Sequence, residues 1–121
     1  MILDLPVRPG LRILVHARPV DFRRGMDSLA TLVKEALLAD PFAGDVFVFR
    51  AKRMDRLKIL VWDGSGLVLL SKRLERSRFQ WPPVQDGAIP LNATQLSLLV
   101  SGLDWSEVVP RTALLTQPAL A

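Results

Sequence analysis

The sequence predicts an α+β fold, with a mainly antiparallel sheet of four to six strands and two helices packed against it. Three observations predict it: short apolar runs separated by turn signals, two segments with apolar residues at helical spacing, and a chain of 121 residues that is 50% hydrophobic. Such a chain can bury a core without disulfides or metals. We therefore expect one domain over residues 1–109 and a flexible C-terminal tail over residues 110–121.

The first two elements are a strand and a helix. Residues 12–17 form a short β-branched run between two turn signals, which is typical of a strand. Apolar residues then recur at i, i+3, i+4, i+7 and i+8 between positions 29 and 37, which predicts a helix. We expect Asp27 to be its N-cap and Asp40-Pro41 to end it, because the residue before a proline leaves the α region.

Three strand-like runs follow, at residues 46–49, 57–62 and 67–70, the last extending toward position 74. Asp63-Gly64-Ser65-Gly66 is a tight-turn signal, and residues 51–56 form a longer basic connection. The pattern predicts an antiparallel meander. Because the runs are almost entirely apolar, we expect both faces of the sheet to be covered.

The last elements are shorter. Residues 78–81 alternate polar and aromatic side chains, which predicts a short edge strand with its aromatic face inward, pairing briefly with residues 88–91. Asn92 followed by Gln95 resembles a capping box, and apolar residues at helical spacing between 96 and 103 predict the second helix.

The positive charge is concentrated in the middle of the chain. The net charge is +4, yet residues 50–78 carry nine basic groups against three acidic ones, a net +6, while residues 1–49 contribute zero and residues 79–121 contribute −2. A concentrated basic patch attracts polyanions, although it can also be a solvated face. Two further arginines precede the first helix, where an anion or a neighbouring aspartate would offset them. The candidate nucleic-acid-binding residues are Arg23, Arg24, Arg50, Lys52, Arg53, Arg56, Lys58, Lys72, Arg73, Arg76 and Arg78.

Catalysis is poorly supported by the residue inventory. The chain has no cysteine, and His16 is its single histidine, so neither a catalytic triad nor a zinc site is expected. Its carboxylates show no pattern that converges on magnesium. We therefore predict a protein that is not an enzyme and has no catalytic residues, metal or cofactor. No basic leader and no apolar run of ~18 residues is present, which predicts a cytoplasmic protein without membrane contact.

Five stretches, in order and with consistent spacing, resemble one family: residues 21–30 (DFRRGMDSLA), 40–50 (DPFAGDVFVFR), 57–67 (LKILVWDGSGL), 72–82 (KRLERSRFQWP) and 95–105 (QLSLLVSGLDW). This is the TnpB accessory-protein family of insertion sequence sixty-six elements, which is distinct from the RNA-guided nucleases that share the TnpB name. The resemblance implies a role in transposition beside a separate, larger transposase that carries the catalytic acids. It also implies contacts with that transposase and with other element-encoded proteins.

Two functional hypotheses follow. In the first, the basic hairpins bind DNA at element ends or target sites, mostly through phosphates. In the second, the protein is an adaptor that holds transposase subunits together without touching DNA, using apolar helix faces and the region of Trp105. An auxiliary nuclease is a third idea. The sequence leaves the oligomeric state open.

Overall fold

The computed structural model describes residues 10–106 and contains two helices and five strands. In chain order these are β1 (Ile13–His16), α1 (Met26–Ala36), β2 (Val46–Arg50), β3 (Arg56–Trp62), β4 (Leu67–Arg73), β5 (Ala88–Leu91) and α2 (Ala93–Val100). The predicted α+β class is confirmed. The predicted C-terminal tail, residues 110–121, lies outside the described residues.

The sheet has the strand order β4-β3-β2-β1-β5. Strand β1 pairs with β2 in parallel, and the other three pairings are antiparallel. The predicted meander of β2, β3 and β4 is therefore confirmed. The pairing also has a consequence for charge, because the C-terminal ends of β1, β2 and β4 meet the N-terminal ends of β3 and β5 at one end of the sheet.

Both faces of the sheet are covered, as predicted. In β2 the side chains of Phe47 and Phe49 pack with α1, whereas Val46 and Val48 lie in a second cluster with α2 on the opposite face. All four are completely buried. This alternation follows from the pleat of a strand, which sends successive side chains to opposite faces. The middle strand thus supplies the core of both layers.

The start and end of α1 differ from the prediction. The N-cap is Gly25, which provides no side-chain hydrogen bond, and Asp27 lies inside the first turn, so the assignment of Asp27 as N-cap was wrong. The helix ends at Ala36, ahead of the predicted stop at residues 40–41. Leu38 has a φ of 50°, and this left-handed conformation turns the chain out of the helix before Pro41 can act.

Residues 78–81 do not form a strand, contrary to the prediction. The backbone N–H of Phe79 and the indole Nε1 of Trp81 both donate to the carbonyl of Met54, at 2.9 and 3.3 Å. The segment is therefore bonded to the turn between β2 and β3. The predicted inward orientation does hold for Phe79, which is completely buried. Strand β5 pairs with β1, not with this segment.

Helix α2 begins with the predicted capping box. The Asn92 side chain accepts a 2.7 Å hydrogen bond from the backbone N–H of Gln95, and the Gln95 side chain accepts one of 2.9 Å from the backbone N–H of Asn92. Neither α1 nor α2, within residues 10–106, is long and apolar enough to cross a membrane.

Replacing Asn92 by alanine is expected to lower the free energy of unfolding by about 1 kcal/mol, because the backbone N–H of Gln95 loses its acceptor. Urea denaturation followed by circular dichroism measures the change. The control is Thr94→Ala, an exposed residue in the first turn of the same helix. Equal losses in the two variants would contradict a specific role for the cap.

Candidate nucleic-acid interface

Three connecting segments meet at the end of the sheet defined above, which we call the basic end. They are the loop between β1 and α1 (residues 17–25), the turn between β2 and β3 (residues 51–55) and the segment after β4 (residues 74–81). The topology therefore brings together candidate residues that are far apart in sequence: Arg23 and Arg24 on the first segment, Lys52 and Arg53 on the second, Arg76 and Arg78 on the third, with Arg73 at the end of β4.

The first segment is fixed to the sheet by hydrogen bonds. The backbone N–H of Val20 donates to the Arg50 carbonyl at 2.8 Å. The Lys58 ammonium donates to the carbonyls of Phe22 and Arg24 at 2.7 and 3.0 Å. A single β3 side chain thus holds the backbone next to Arg23 and Arg24 in place.

The third segment is fixed in the same way. The backbone N–H of Leu74 donates to the Asp55 carbonyl at 3.0 Å. Further along the segment, Phe79 and Trp81 donate to the Met54 carbonyl, as described above. The exposed cations of the basic end are therefore carried on backbone that is already organised. Only their side chains would have to be ordered on binding a ligand, which lowers the entropic cost of binding.

Seven candidate residues of the basic end have exposed side chains: Arg23, Arg24, Lys52, Arg53, Arg73, Arg76 and Arg78. Three of them form ion pairs, Arg23 with Asp21 at 2.6 Å, Arg53 with Asp55 at 3.4 Å and Arg73 with Glu75 at 3.4 Å. Within residues 10–106, no carboxylate pairs with the other four. Exposed ion pairs are weak, at about 0–1 kcal/mol, so even the paired arginines remain available to a polyanion.

Asp21 is an exposed carboxylate within the basic end, next to Arg23. Hydrogen bonds from the side chain and backbone of Arg23 lower its pKa to about 2. The carboxylate is therefore ionised at any pH used for binding, and it opposes an incoming polyanion.

Arg50 lies in the core and not on the basic end. Only 7% of the residue is exposed. Its Nη1 donates to the Pro82 carbonyl at 3.3 Å, its guanidinium lies 5.4 Å from the centre of the Trp81 ring, and burial lowers its pKa. The burial removes Arg50 from the accessible candidate set, because a phosphate cannot reach it.

Three other candidate residues are used within the fold. Besides Lys58, the Lys72 ammonium donates to the Val100 carbonyl at 2.6 Å, where a cation stabilises the C-terminal end of α2. Arg56 lies 2.8 Å from the Asp55 carboxylate and is largely covered. The structure therefore separates these internal cations from the seven exposed ones, and for Lys58 and Lys72 the distinction depends on carbonyls distant in sequence.

The variant Arg50→Met tests this separation. We expect it to leave the salt dependence of DNA binding unchanged, because the guanidinium is enclosed by Trp81 and Pro82 and the methionine fills similar space. Fluorescence anisotropy with labelled duplex DNA at several salt concentrations measures it. A reduction of the slope of log K against log salt by about 0.9 would show that Arg50 reaches a phosphate after all.

The surface between the three segments is concave. A cleft of about 400 Å³ is lined by residues of the first and second segments, including Asp21 and Arg53. A depression that shares Asp21 extends along Arg23 and Arg24, and another that shares Arg53 extends to Arg78. Each of these two shallow depressions shares one lining residue with the cleft, so all three lie side by side on the basic end. The apolar lining of the cleft could not be predicted from the sequence, because only the parallel pairing of β1 and β2 places residues 19–22 beside residues 51–53.

Among residues 10–106, no three histidine, aspartate or glutamate side chains are grouped so as to hold a metal ion. The His16 ring is buried, with its Nδ1 2.9 Å from the Arg18 carbonyl.

Comparison with known proteins identifies the family. The protein-family model described as "IS66 Orf2 like protein" matches residues 11–110 of the chain. The chain belongs to this family. The resemblance seen in the sequence is thereby confirmed, and membership associates the chain with an accessory role in an insertion sequence.

Two relatives of this IS66 Orf2-like chain come from Sinorhizobium fredii. The uncharacterized protein y4jC is 60% identical over 99 residues, which cover 82% of this chain and 85% of the relative. The uncharacterized protein y4hO is 43% identical over 101 residues, which cover 84% and 88%. No solved structure matches.

Proposed function

We propose that this IS66 Orf2-like protein supports transposition of its element by binding DNA through the phosphates that contact the basic end. The observation that carries the proposal is the set of seven exposed cations on three segments that hydrogen bonds hold in place. Four of these cations have no carboxylate partner within residues 10–106: Arg24, Lys52, Arg76 and Arg78. Cations that replace the counterions of DNA release them to solution, and this release favours binding.

The charge distribution favours one orientation on DNA. Exposed acidic groups at the opposite end of the sheet include Asp63, in the β3–β4 turn, and Asp40, in the connection between α1 and β2. The molecule is therefore polar along the strands, and the basic end would face the polyanion. Arginine guanidinium groups and a lysine ammonium suit phosphate oxygens, so we expect affinity with little base recognition.

Titration with a labelled duplex of about 20 base pairs at several salt concentrations tests the proposal. If four to six phosphates are contacted, log K should fall against log salt with a slope of roughly −3.6 to −5.4. Absence of binding at low salt, or binding that does not depend on salt, would overturn it. A pull-down with the cognate transposase would then test the adaptor hypothesis.

The variant Asp21→Asn is expected to bind duplex DNA several-fold more tightly, by up to roughly eightfold at ~0.1 M salt, because one opposing charge is removed and Arg23 is released. Anisotropy titrations measure the change. The matched control is Glu35→Gln, which removes an exposed carboxylate in the last turn of α1, away from the basic end. Equal gains in both variants would indicate an effect of net charge alone.

A further inference from the structure

The cleft at the centre of the basic end has an apolar wall that phosphate binding does not explain. Its volume is about 400 Å³, and four of its seven lining residues are apolar, namely Pro19, Val20, Phe22 and Ala51. The remaining three are Asp21, Lys52 and Arg53. An apolar cavity with a few polar groups at its margin is the usual form of a small-ligand site.

The walls of the cleft are held in position from both sides. The hydrogen bond between Val20 and the Arg50 carbonyl ties the first wall to the end of β2, directly before Ala51. The Lys58 ammonium bonds the Phe22 carbonyl and lies 4.9 Å from the centre of the Phe22 ring. The Phe22 side chain is half-buried and packs against the cluster beneath α1, so the wall that it forms exists before any ligand binds.

Exposed cations continue from the cleft in two directions. Arg23 and Arg24 line the depression that shares Asp21 with the cleft, and Arg78 lines the depression that shares Arg53 with it. A ligand in the cleft would thus have exposed arginines next to each wall. That arrangement suits a flat apolar group carried on a chain of phosphates.

We propose that the cleft accepts an unpaired nucleobase of a DNA strand whose flanking phosphates lie on the neighbouring cations. The inference rests on the proposed function and specifies its substrate class, which is DNA with single-stranded nucleotides at an end or a gap. Bases inside an intact duplex are stacked and paired, and extruding one costs free energy that an unpaired base does not require. Stacking against an aromatic ring is tolerant of base identity, so we expect little sequence preference.

Three labelled DNAs that share one duplex test the proposal with the full-length protein. The first is blunt, the second carries a four-nucleotide single-stranded overhang, and the third carries the same overhang built from abasic nucleotides. The last two have the same phosphates, so a difference between them reports on the bases alone. We expect the overhang with bases to bind about 5- to 100-fold more tightly than the abasic one.

The variant Phe22→Leu separates stacking from charge. It should reduce the preference for bases over abasic nucleotides to less than about threefold. Because this preference is a ratio measured within one variant, any common loss of affinity through the contact between Phe22 and Lys58 cancels. Circular dichroism checks that the variant is folded, and the wild-type comparison remains decisive if it is not. Equal affinity of the wild type for the two overhangs would overturn the cleft proposal and leave the proposed function standing. If none of the three DNAs shows salt-dependent binding, the cleft proposal and the proposed function are both overturned.

Discussion

Simultaneous replacement of Lys52, Arg53 and Arg78 by alanine is expected to weaken binding to duplex DNA by about 500-fold at ~0.1 M salt. Each phosphate contact contributes a counterion-release term of about 0.9 in the slope, so the slope should fall by roughly 2.7. All three side chains are exposed, and among them only Arg53 has a carboxylate partner within residues 10–106, a weak contact of 3.4 Å. The fold should therefore tolerate the change.

The control for this experiment is a cation at the other end of the molecule. Lys34 is exposed in the last turn of α1, where its ammonium lies 5.0 Å from the centre of the Phe42 ring. Lys34→Ala removes the same charge as Lys52→Ala but should reduce the slope by less than about 0.3. Comparable effects of the two single variants would mean that net charge, and not the basic end, determines binding. The thermal midpoints of all variants should agree within a few degrees.

The meander and both helices could be predicted because local signals specify them. The turn at residues 63–66 brings β3 and β4 together, and the capping box fixes the start of α2. The pairing of β1 could not be predicted, since its parallel contact with β2 is made across α1 and its contact with β5 spans about seventy residues of chain. Short apolar runs do not identify their partners.

The charge pattern predicted the basic end but not the role of each cation. Arg50 shares its face of β2 with Val46 and Val48, so the period of the strand places it toward α2. Because both faces of the sheet are covered, that alternation alone could not separate buried from exposed positions. The Pro82 carbonyl that accepts the hydrogen bond from Arg50 is 32 residues away. The two carbonyls bonded by Lys58 are 36 and 34 residues away, and the one bonded by Lys72 is 28 residues away.

The start of α1 shows how a local signal can mislead. Asp27 is a good N-cap residue type, but the helix begins before it, with Gly25 as the cap. Lys58 bonds the carbonyls of Phe22 and Arg24 and so fixes the backbone just ahead of the helix. This tertiary contact holds the backbone on which Arg23 and Arg24 lie, and the spacing of residues along the chain does not reveal it.

The variant Phe47→Ala is expected to produce the largest loss of stability, with the free energy of unfolding lowered by about 3–5 kcal/mol. Phe47 is completely buried in the middle strand, where it packs beneath α1 with Leu29 and Val33. A cavity at that place cannot be filled by movement of an edge strand. A domain of this size is typically stable by about 5–15 kcal/mol, so the variant would lose a large part of its stability.

Urea denaturation followed by tryptophan fluorescence measures this loss, with Phe42→Ala as the control. Phe42 is 44% exposed and contacts Trp62 edge-on, with ring centres 5.8 Å apart, so its removal should cost no more than about 1–1.5 kcal/mol. The helix α1 packs over Phe47 and also carries Ser28, which lines the depression beside Arg23 and Arg24. The segment that carries Arg23 and Arg24 is also held by Lys58 of β3, independently of the Phe47 contacts. A destabilised Phe47 variant that remains folded should for that reason still bind DNA. Equal costs for the two phenylalanines would place the core elsewhere than beneath α1.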